Sequence, residues 1–329
     1  MADTKARIAI ATGDTAGIGP EISLKAALDP SIREVCHPIL VSDPELLRRH
    51  AAACGIKADI LAVDRVDDAD WSRDVNVLTC RTPDAVTLDF GAPSAASGRA
   101  SLAFAAAAVR AALAGAVDGV VAAPQNETSI AQAGIEFDGY PSFVARTTGL
   151  SPEDVYLMLC FGETRIVHCT LHVSVRQALA LITRERVGCA IRAADGALKR
   201  LGMPAPTIHV GGLNPHAGES GLFGDEERDI IKPAIEQASA EGIAVAGPFG
   251  ADTMFLQKGV DVFVVMLHDQ GHIAAKLSAP NATAALTIGS PILFSSVAHG
   301  SAHDIAGKGV ASPRAMIEAI SRLAGARRL

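Results

Sequence analysis

Aromatic residues are scarce in this chain: one tryptophan, two tyrosines and ten phenylalanines make up 4% of 329 residues. A core with few large rings must be filled by Ala, Val, Ile and Leu. Hydrophobic residues reach 49%, which suits helices packed closely on a buried parallel sheet. Basic charge in excess is missing too. With 29 Lys and Arg against 36 Asp and Glu, the net charge is −7, and no cationic footprint exists for nucleic acid or an anionic membrane. No apolar run is long enough to span a bilayer, since AFAAAAVRAALAGAVDGVVAA is broken by Arg110 and Asp118. A GxSxG nucleophile elbow is absent, which leaves hydrolase chemistry of that kind without a carrier. The six cysteines (36, 54, 80, 160, 169 and 189) form no CxxC pair and read as buried thiols of a reducing compartment. Cys160 and Cys169 are expected to pack rather than to attack. The start, MADTKARIAIATGD, runs directly into a strand and a Gly-rich turn and resembles no signal peptide. A cytoplasmic protein is expected.

What is present alternates short β-branched runs with longer amphipathic stretches. Strands are expected at Arg7–Ala11, Pro38–Val41, Val75–Leu78, Gly119–Ala122, Tyr156–Cys160, Arg165–His168, Thr207–Val210, Val262–Val265 and Ala285–Thr287. Helices are expected at Pro20–Ala27, Pro44–Cys54, Gly98–Ala114, Pro141–Thr148, Val173–Ala180, Thr183–Leu201, Glu226–Glu241 and Ser312–Ala326. Such alternation predicts an α/β fold with a parallel or mixed sheet. The length admits two domains or one large α/β unit. With no low-complexity linker and no internal repeat, two lobes that exchange strands fit better than two beads on a string.

Three histidines carry the clearest chemical signal: His172 in TLHVSVR, His216 in GLNPHAGE and His268 in MLHDQGH. Neutral imidazole is the commonest ligand for a divalent transition metal, and three ligands with an open position describe a catalytic centre. Their spacing matches no finger-type site, so the fold has to bring them together. Taken singly, each is better explained as a hydrogen-bonded histidine, and it is the neighbouring residues that turn the reading towards a site. Asn214, Pro215, Gly218, Asp269, Gln270 and Gly271 around them look like strand-end loops bearing polar groups. Gly13-Asp14-Thr15-Ala16-Gly17-Ile18-Gly19-Pro20-Glu21 follows the first strand, but its glycines are misplaced for GxGxxG. A tight strand–helix turn is the favoured reading, with Asp14 and Glu21 serving helix capping and dipole compensation. Near the end, residues 296–309 place glycines, a hydroxyl, imidazoles and a carboxylate together. Backbone N–H groups there can meet phosphate or adenine atoms, and ligand binding is favoured over a plain surface loop.

The motif HGSAHDIAGKG resembles the cofactor loop of metal-dependent β-decarboxylating dehydrogenases of the isocitrate and isopropylmalate type. GDTAGIGPE, APQNETSIAQAG, TLH, GLNPHAGE, GPFGADTMF and HDQGH, in that order from about residue 7 to residue 325, resemble the 4-hydroxythreonine-4-phosphate dehydrogenase family within that superfamily. The resemblance implies two α/β/α lobes with a cleft between them: residues 1–135 with about 305–329, and residues 136–304. It implies a homodimer with a shared active site and a small-molecule substrate. NAD is the implied oxidant, NADP being the alternative; Lys308 without an arginine cluster leans towards NAD. One divalent metal is implied per site (Zn, Fe, Co, Mn or Mg), held by His172, His216 and His268, with His268 from the partner subunit. Asp252 matches an acidic catalytic position near that metal, and Lys276 the substrate-contacting lysine. His299, Gly300, Ser301, Asp304, Gly307, Lys308 and Gly309 fall on the cofactor loop.

The departures concern the substrate. Where phosphate-handling members carry His-Thr-Glu, this chain has Tyr140-Pro141-Ser142; Glu127 replaces a lysine, Phe294 an arginine and Ala285 an asparagine. A phosphate dianion needs such cations. The pattern resembles the terephthalate dihydrodiol dehydrogenase branch, which implies oxidation of an aromatic cis-dihydrodiol carboxylate with decarboxylation to a catechol such as protocatechuate. Asn126, Glu127, Tyr140, Ser142, His272 and Phe294 are the expected substrate contacts. Tyr140 is either an acid/base or the wall of an aromatic slot, and His272 either orients substrate, supports the metal site or is a solvated loop residue. The alternatives are a 4-hydroxythreonine-4-phosphate or phosphorylated threonate dehydrogenase and, from another class, an inactive metal- or nucleotide-binding scaffold.

Overall fold

The computed structural model describes residues 5–86, 89–279, 283–297 and 299–325. It divides into two compact units, one of Met1–Gly149 with Pro291–Leu329 and one of Leu150–Ser290. Twelve strands are labelled in chain order: β1 Ala6–Ala11, β2 Cys36–Ser42, β3 Ile60–Val63, β4 Val75–Thr79, β5 Gly119–Ala122, β6 Tyr156–Phe161, β7 Thr164–His168, β8 Ile208–Gly211, β9 Val245–Phe249, β10 Val262–Val265, β11 Ala284–Ile288 and β12 Phe294–Ser296.

In the first unit the order is β3-β4-β2-β1-β5-β12, every pairing parallel. Parallel strands covered on both faces lose the polar–apolar alternation, and β5 is buried at all its positions. The core uses small residues as the composition implies. Phe104 and Phe294 are its largest fully buried side chains, set among Ala9, Ala11, Ala100, Ala105, Ala108 and Ala122. The long Ala95–Leu113 helix starts at Ser94, whose side chain accepts from the Ser97 N–H.

The second unit runs β11-β6-β7-β10-β8-β9. Its β7, β10, β8 and β9 are parallel, while β6 pairs antiparallel with both β11 and β7. Thr183 caps the Arg184–Arg200 helix by accepting from Arg186 N–H at 3.2 Å, with no capping box.

Three strands depart from the expectation. Strands β3, β9 and β12 were not anticipated; β12 has only three residues, and β9 contains Pro248, which a strand on the end of the order tolerates. The Val173–Ala180 helix begins two residues later, at Val175, and the last helix is Arg314–Leu323; its expected end at Ala326 lies outside the described residues. The unit boundaries also differ from 135/136 and 304/305. The Tyr140–Thr148 helix and the 299–309 loop belong to the first unit, because β12 pairs with β5 and the Tyr140 ring packs 5.0 Å from Phe294. Among the described residues no helix is long and apolar enough to cross a membrane.

Candidate metal and cofactor site

Two neighbouring parallel strands deliver the first pair of histidines. β7 and β10 run side by side, and beyond their carboxyl ends the chains stay paired through Cys169 N–H to Val265 O and Thr170 N–H to Met266 O. The Thr170 hydroxyl donates to the same Met266 carbonyl at 2.7 Å. His172 and His268 follow, with ring centroids 5.7 Å apart. Carboxyl ends of parallel strands are where α/β proteins place their ligands. The MLHDQGH motif is not a loop after this strand: His268 opens a helix, His268–Ser278, and Asp269, Gln270 and Gly271 form its first turn. His272 therefore stands one turn above His268, its ring stacked at 3.7 Å and 8°.

His168, which sequence reading missed as a site residue, completes this cluster. Its ring lies 4.7 Å from His272 and 6.4 Å from His268. The packing is tight enough that a Cβ at position 271 would overlap the His168 ring, so glycine is required there for space. Burial depresses the His168 pKa to about 3, and burial followed by the nearby His268 lowers that of His272. Both rings are thereby kept neutral. A signal for His168 was available in the H-x3-H spacing of HCTLH.

The hydrogen bonds of His268 fit metal ligation. Its Nδ1 meets Asp269 Oδ1 at 2.7 Å, which leaves Nε2 for a ligand, the usual arrangement in which a carboxylate orients a metal-binding imidazole. His216 repeats it, with Nδ1 3.1 Å from Glu219 Oε2. The surrounding backbone is unusual. His216, Ala217, Gly218, Glu219 and Ser220 all have positive φ, between 42° and 79°, a left-handed turn that L-residues adopt only at a cost. The buried Glu227 holds its base: Oε1 accepts from Leu213 and Asn214 N–H, each at 2.7 Å, and Oε2 from Asn214 Nδ2 at 2.9 Å. Gln270 links the two segments. Its Oε1 accepts from Met266 and Leu267 N–H, and its Nε2 donates to Gly212 O at 3.0 Å.

Within one chain the three histidines do not converge. Among the described residues no group of three His, Cys, Asp or Glu side chains is gathered for a metal. His268 was expected to arrive from a partner, yet it sits beside His172 on the same chain. His216 stands apart, its ring against Phe223 at 6.0 Å and its Cα close to Gly250 beside Asp252. Asp252 thus accompanies His216. Lys276, two turns after His268 on the same helix, is exposed and makes no hydrogen bond or ion pair among the described residues.

In the first unit, the 299–309 loop rests on the GDTAGIGPE segment, and the expected capping roles of Asp14 and Glu21 give way to another. The helix Gly19–Leu28 has no side-chain cap. Asp14, fully buried, accepts from Ala16 N–H at 3.1 Å and from the Ser97 hydroxyl, and pairs with His303 Nε2 at 2.6 Å. Ile18 N–H donates to Ser301 O at 2.9 Å. Buried Glu21 accepts from Ala311 N–H and from Lys25 Nζ, which also donates to the Gly309 and Ala311 carbonyls. The motif shapes the loop from below. Gly307 and Gly309, both near φ 74°, approach Phe90 and the Cys54 carbonyl, so they serve the protein's own packing. The loop exposes His299, Gly300, Asp304 and Lys308, while the Ser301 hydroxyl is buried without a partner.

Several expected substrate contacts have structural employment instead. Phe294 is fully buried in the core. The Tyr140 hydroxyl donates to Ala123 O at 2.9 Å, and burial pushes its pKa up. Asn126 caps the Glu127–Gln132 helix by accepting from Ser129 N–H at 2.7 Å. Ser142 is half-buried beside Asp138, and Glu127 is exposed on the rim of a cavity of about 570 Å³ with Glu136, Phe137, Asp138 and Arg146. Of the cysteines, Cys36, Cys160 and Cys169 are buried while Cys54, Cys80 and Cys189 are only half-buried. Burial pushes the Cys169 thiol up to about 12, and it packs rather than reacts.

Comparison with known proteins gives these features a setting. The 1,2-dihydroxy-3,5-cyclohexadiene-1,4-dicarboxylate dehydrogenase of a Comamonas species is 42% identical over 317 residues, covering 96% of each chain. A Symbiobacterium thermophilum protein described as a D-threonate 4-phosphate dehydrogenase is 41% identical over 322 residues, covering 97% of this chain and 96% of its own. The crystal structure of a 4-hydroxythreonine-4-phosphate dehydrogenase from Burkholderia phymatum superposes with a TM-score of 0.90 at 33% identity, covering 99% of this chain and 100% of that one. A family model described as pyridoxal phosphate biosynthetic protein PdxA matches residues 34–323, and the chain belongs to the PdxA family.

Proposed function

We propose that the protein is a metal-dependent, NAD-linked dehydrogenase that oxidises a cis-dihydrodiol of an aromatic carboxylate, with loss of CO2 to give a catechol. The observation that carries the substrate class is the cavity of about 410 Å³ at His172 and His268. Leu171, Val173, Val175, Ala178 and Leu267 wall it, and no Lys or Arg lines it. An apolar ring bearing a diol suits such walls, whereas a phosphate dianion calls for several cationic donors. The first unit agrees: the cavity at Glu127 has one arginine, Arg146, already paired with Asp138 at 2.8 Å.

The donors fit a divalent ion. His268 and His216 each have Nδ1 engaged by a carboxylate and Nε2 available, and His172 adds a third imidazole. A bound ion would supply the Lewis acidity that lowers the pKa of a substrate hydroxyl. Since His172 and His268 share one chain and His216 with Asp252 lies apart, a second copy of the chain completes the set, and the ligand it contributes is His216. Unit two exposes Val175, Leu222, Leu256, Ile273 and Leu277, each more than half exposed, as material for that contact. The dinucleotide is assigned to the 299–309 loop, whose buried, unpartnered Ser301 hydroxyl suits a polar ligand atom.

A bound nicotinamide would supply the two-electron acceptor; the substrate's hydroxyl carbon would become a ketone, with its hydroxyl proton passing to solvent. With that ketone β to a carboxylate, the C–C bond electrons left by departing CO2 complete an aromatic ring, and the catecholate takes up a proton. Lys276, exposed two turns along the helix from His268 and outside the lining of that cavity, is the cation for a substrate carboxylate that reaches beyond the apolar walls. His272, held neutral with Nδ1–H donated to the His268 carbonyl at 3.2 Å, presents Nε2 as a hydrogen-bond acceptor.

The near-equal identity to a protein described as a D-threonate 4-phosphate dehydrogenase supports a second reading, a phosphorylated hydroxy acid as substrate. Purified, metal-supplemented protein should reduce NAD with the cis-dihydrodiol of terephthalate and release CO2, and should leave D-threonate 4-phosphate and 4-phosphohydroxythreonine unchanged. Turnover of a phosphate ester alone would overturn the ring-diol assignment. No turnover of any of them by protein that binds metal and NADH would return the scaffold reading.

A further inference from the structure

The chain spends a buried carboxylate under its 299–309 loop, and no chemistry described above uses it. Asp14 has a side chain 1% exposed, and its partner His303 is 18% exposed. Oδ1 takes the Ala16 N–H and the Ser97 hydroxyl, and Oδ2 takes His303 Nε2. With Nε2 turned to that carboxylate, Nδ1 is the ring nitrogen left for a ligand, and it has no partner among the described residues. Two buried hydroxyls close by, Thr15 Oγ1 and Ser301 Oγ, are also unpartnered. Ser301 is pressed against Gly17, where an added Cβ would crowd both Ser301 and Asp14. Between Ser301 and His303, Ala302 holds φ 41°, a conformation residues with a Cβ avoid unless their neighbours impose it.

We propose that Asp14 and His303 form a positioning pair for the nucleoside end of a nicotinamide dinucleotide: the carboxylate holds the ring by Nε2 and with it the strained path of the loop, and the ring offers Nδ1 to the ligand. This rests on the dinucleotide assignment made for the 299–309 loop. Both residues belong to the first unit.

The test is equilibrium binding of NADH by fluorescence, without substrate, to the wild type, His303→Leu, Asp14→Asn, the double variant and His303→Gln. His303→Leu should weaken binding about tenfold, equivalent to about 1.4 kcal/mol. His303→Gln, which can still donate to Asp14, should recover most of it. The double variant should lose no more than the worse single, as coupled residues do. Zinc affinity of the same samples should not move, a result that separates this pair from a general loss of structure. Equal NADH binding by wild type and His303→Leu, or strictly additive losses, would overturn the pair. If Asp14→Asn does not fold, the Leu and Gln variants of His303 decide alone. A wild type that binds metal but neither NADH nor NADPH would instead bring down the dinucleotide assignment and this inference with it.

Discussion

At the scale of the residue, the decisive features are small oxygens placed beside imidazoles. Asp269 is exposed, yet its Oδ1 sits 2.7 Å from His268 Nδ1, and only the other nitrogen can then meet a metal. Partners of this kind contribute about 10–100-fold in metal affinity. Asp269→Ala should therefore weaken zinc binding by roughly that factor while leaving thermal unfolding of the metal-free protein unchanged, as chelator competition and calorimetry would show. Unaltered zinc affinity would remove Asp269 from the centre. His272 shows how far a residue reading reaches: its presence in HDQGH was plain, but its stacking on His268 follows from a helix that the polar motif did not suggest.

At the scale of the element, the left-handed turn at 216–220 is the most costly piece of backbone described. Four of its five residues carry a Cβ at positive φ, and the buried Glu227 carboxylate anchors the backbone that leads into it. Glu227→Ala would leave the Leu213 and Asn214 N–H groups without their acceptor, while the Asn214 amide would keep Glu226. At about 1–3 kcal/mol for each buried unsatisfied donor, the loss should be on the order of 3 kcal/mol, with early proteolysis in the 212–224 segment. Measured unfolding within ~0.5 kcal/mol of wild type would mean that the turn is held by something else. Nothing in GLNPHAGE announced this conformation, because Glu227 lies outside the motif and its reach is fixed only by how the next helix packs.

At the scale of the whole molecule, a single chain carries the imidazoles in two places, and the proposed completion by a second copy would link assembly to metal binding. Leu222→Glu with Leu256→Glu, at side chains 72% and 79% exposed, should shift a dimer to monomer in light scattering. Zinc affinity should fall in the same samples by at least an order of magnitude. A wild type that is monomeric at all concentrations and still binds one zinc per chain would contradict the shared centre.

The α/β alternation, the buried parallel strands, the histidine motifs and the family were legible in the sequence, because periodicity, capping and short polar motifs are local properties. The tertiary structure alone decided which histidines meet, that Tyr140 and Phe294 pack on each other, that Gly271 exists to admit His168, and that Asp14 holds His303 across 289 positions of chain. Those are contacts between segments far apart in sequence. Their formation depends on strand order and on helix placement over the sheet, and no local pattern of residues encodes either.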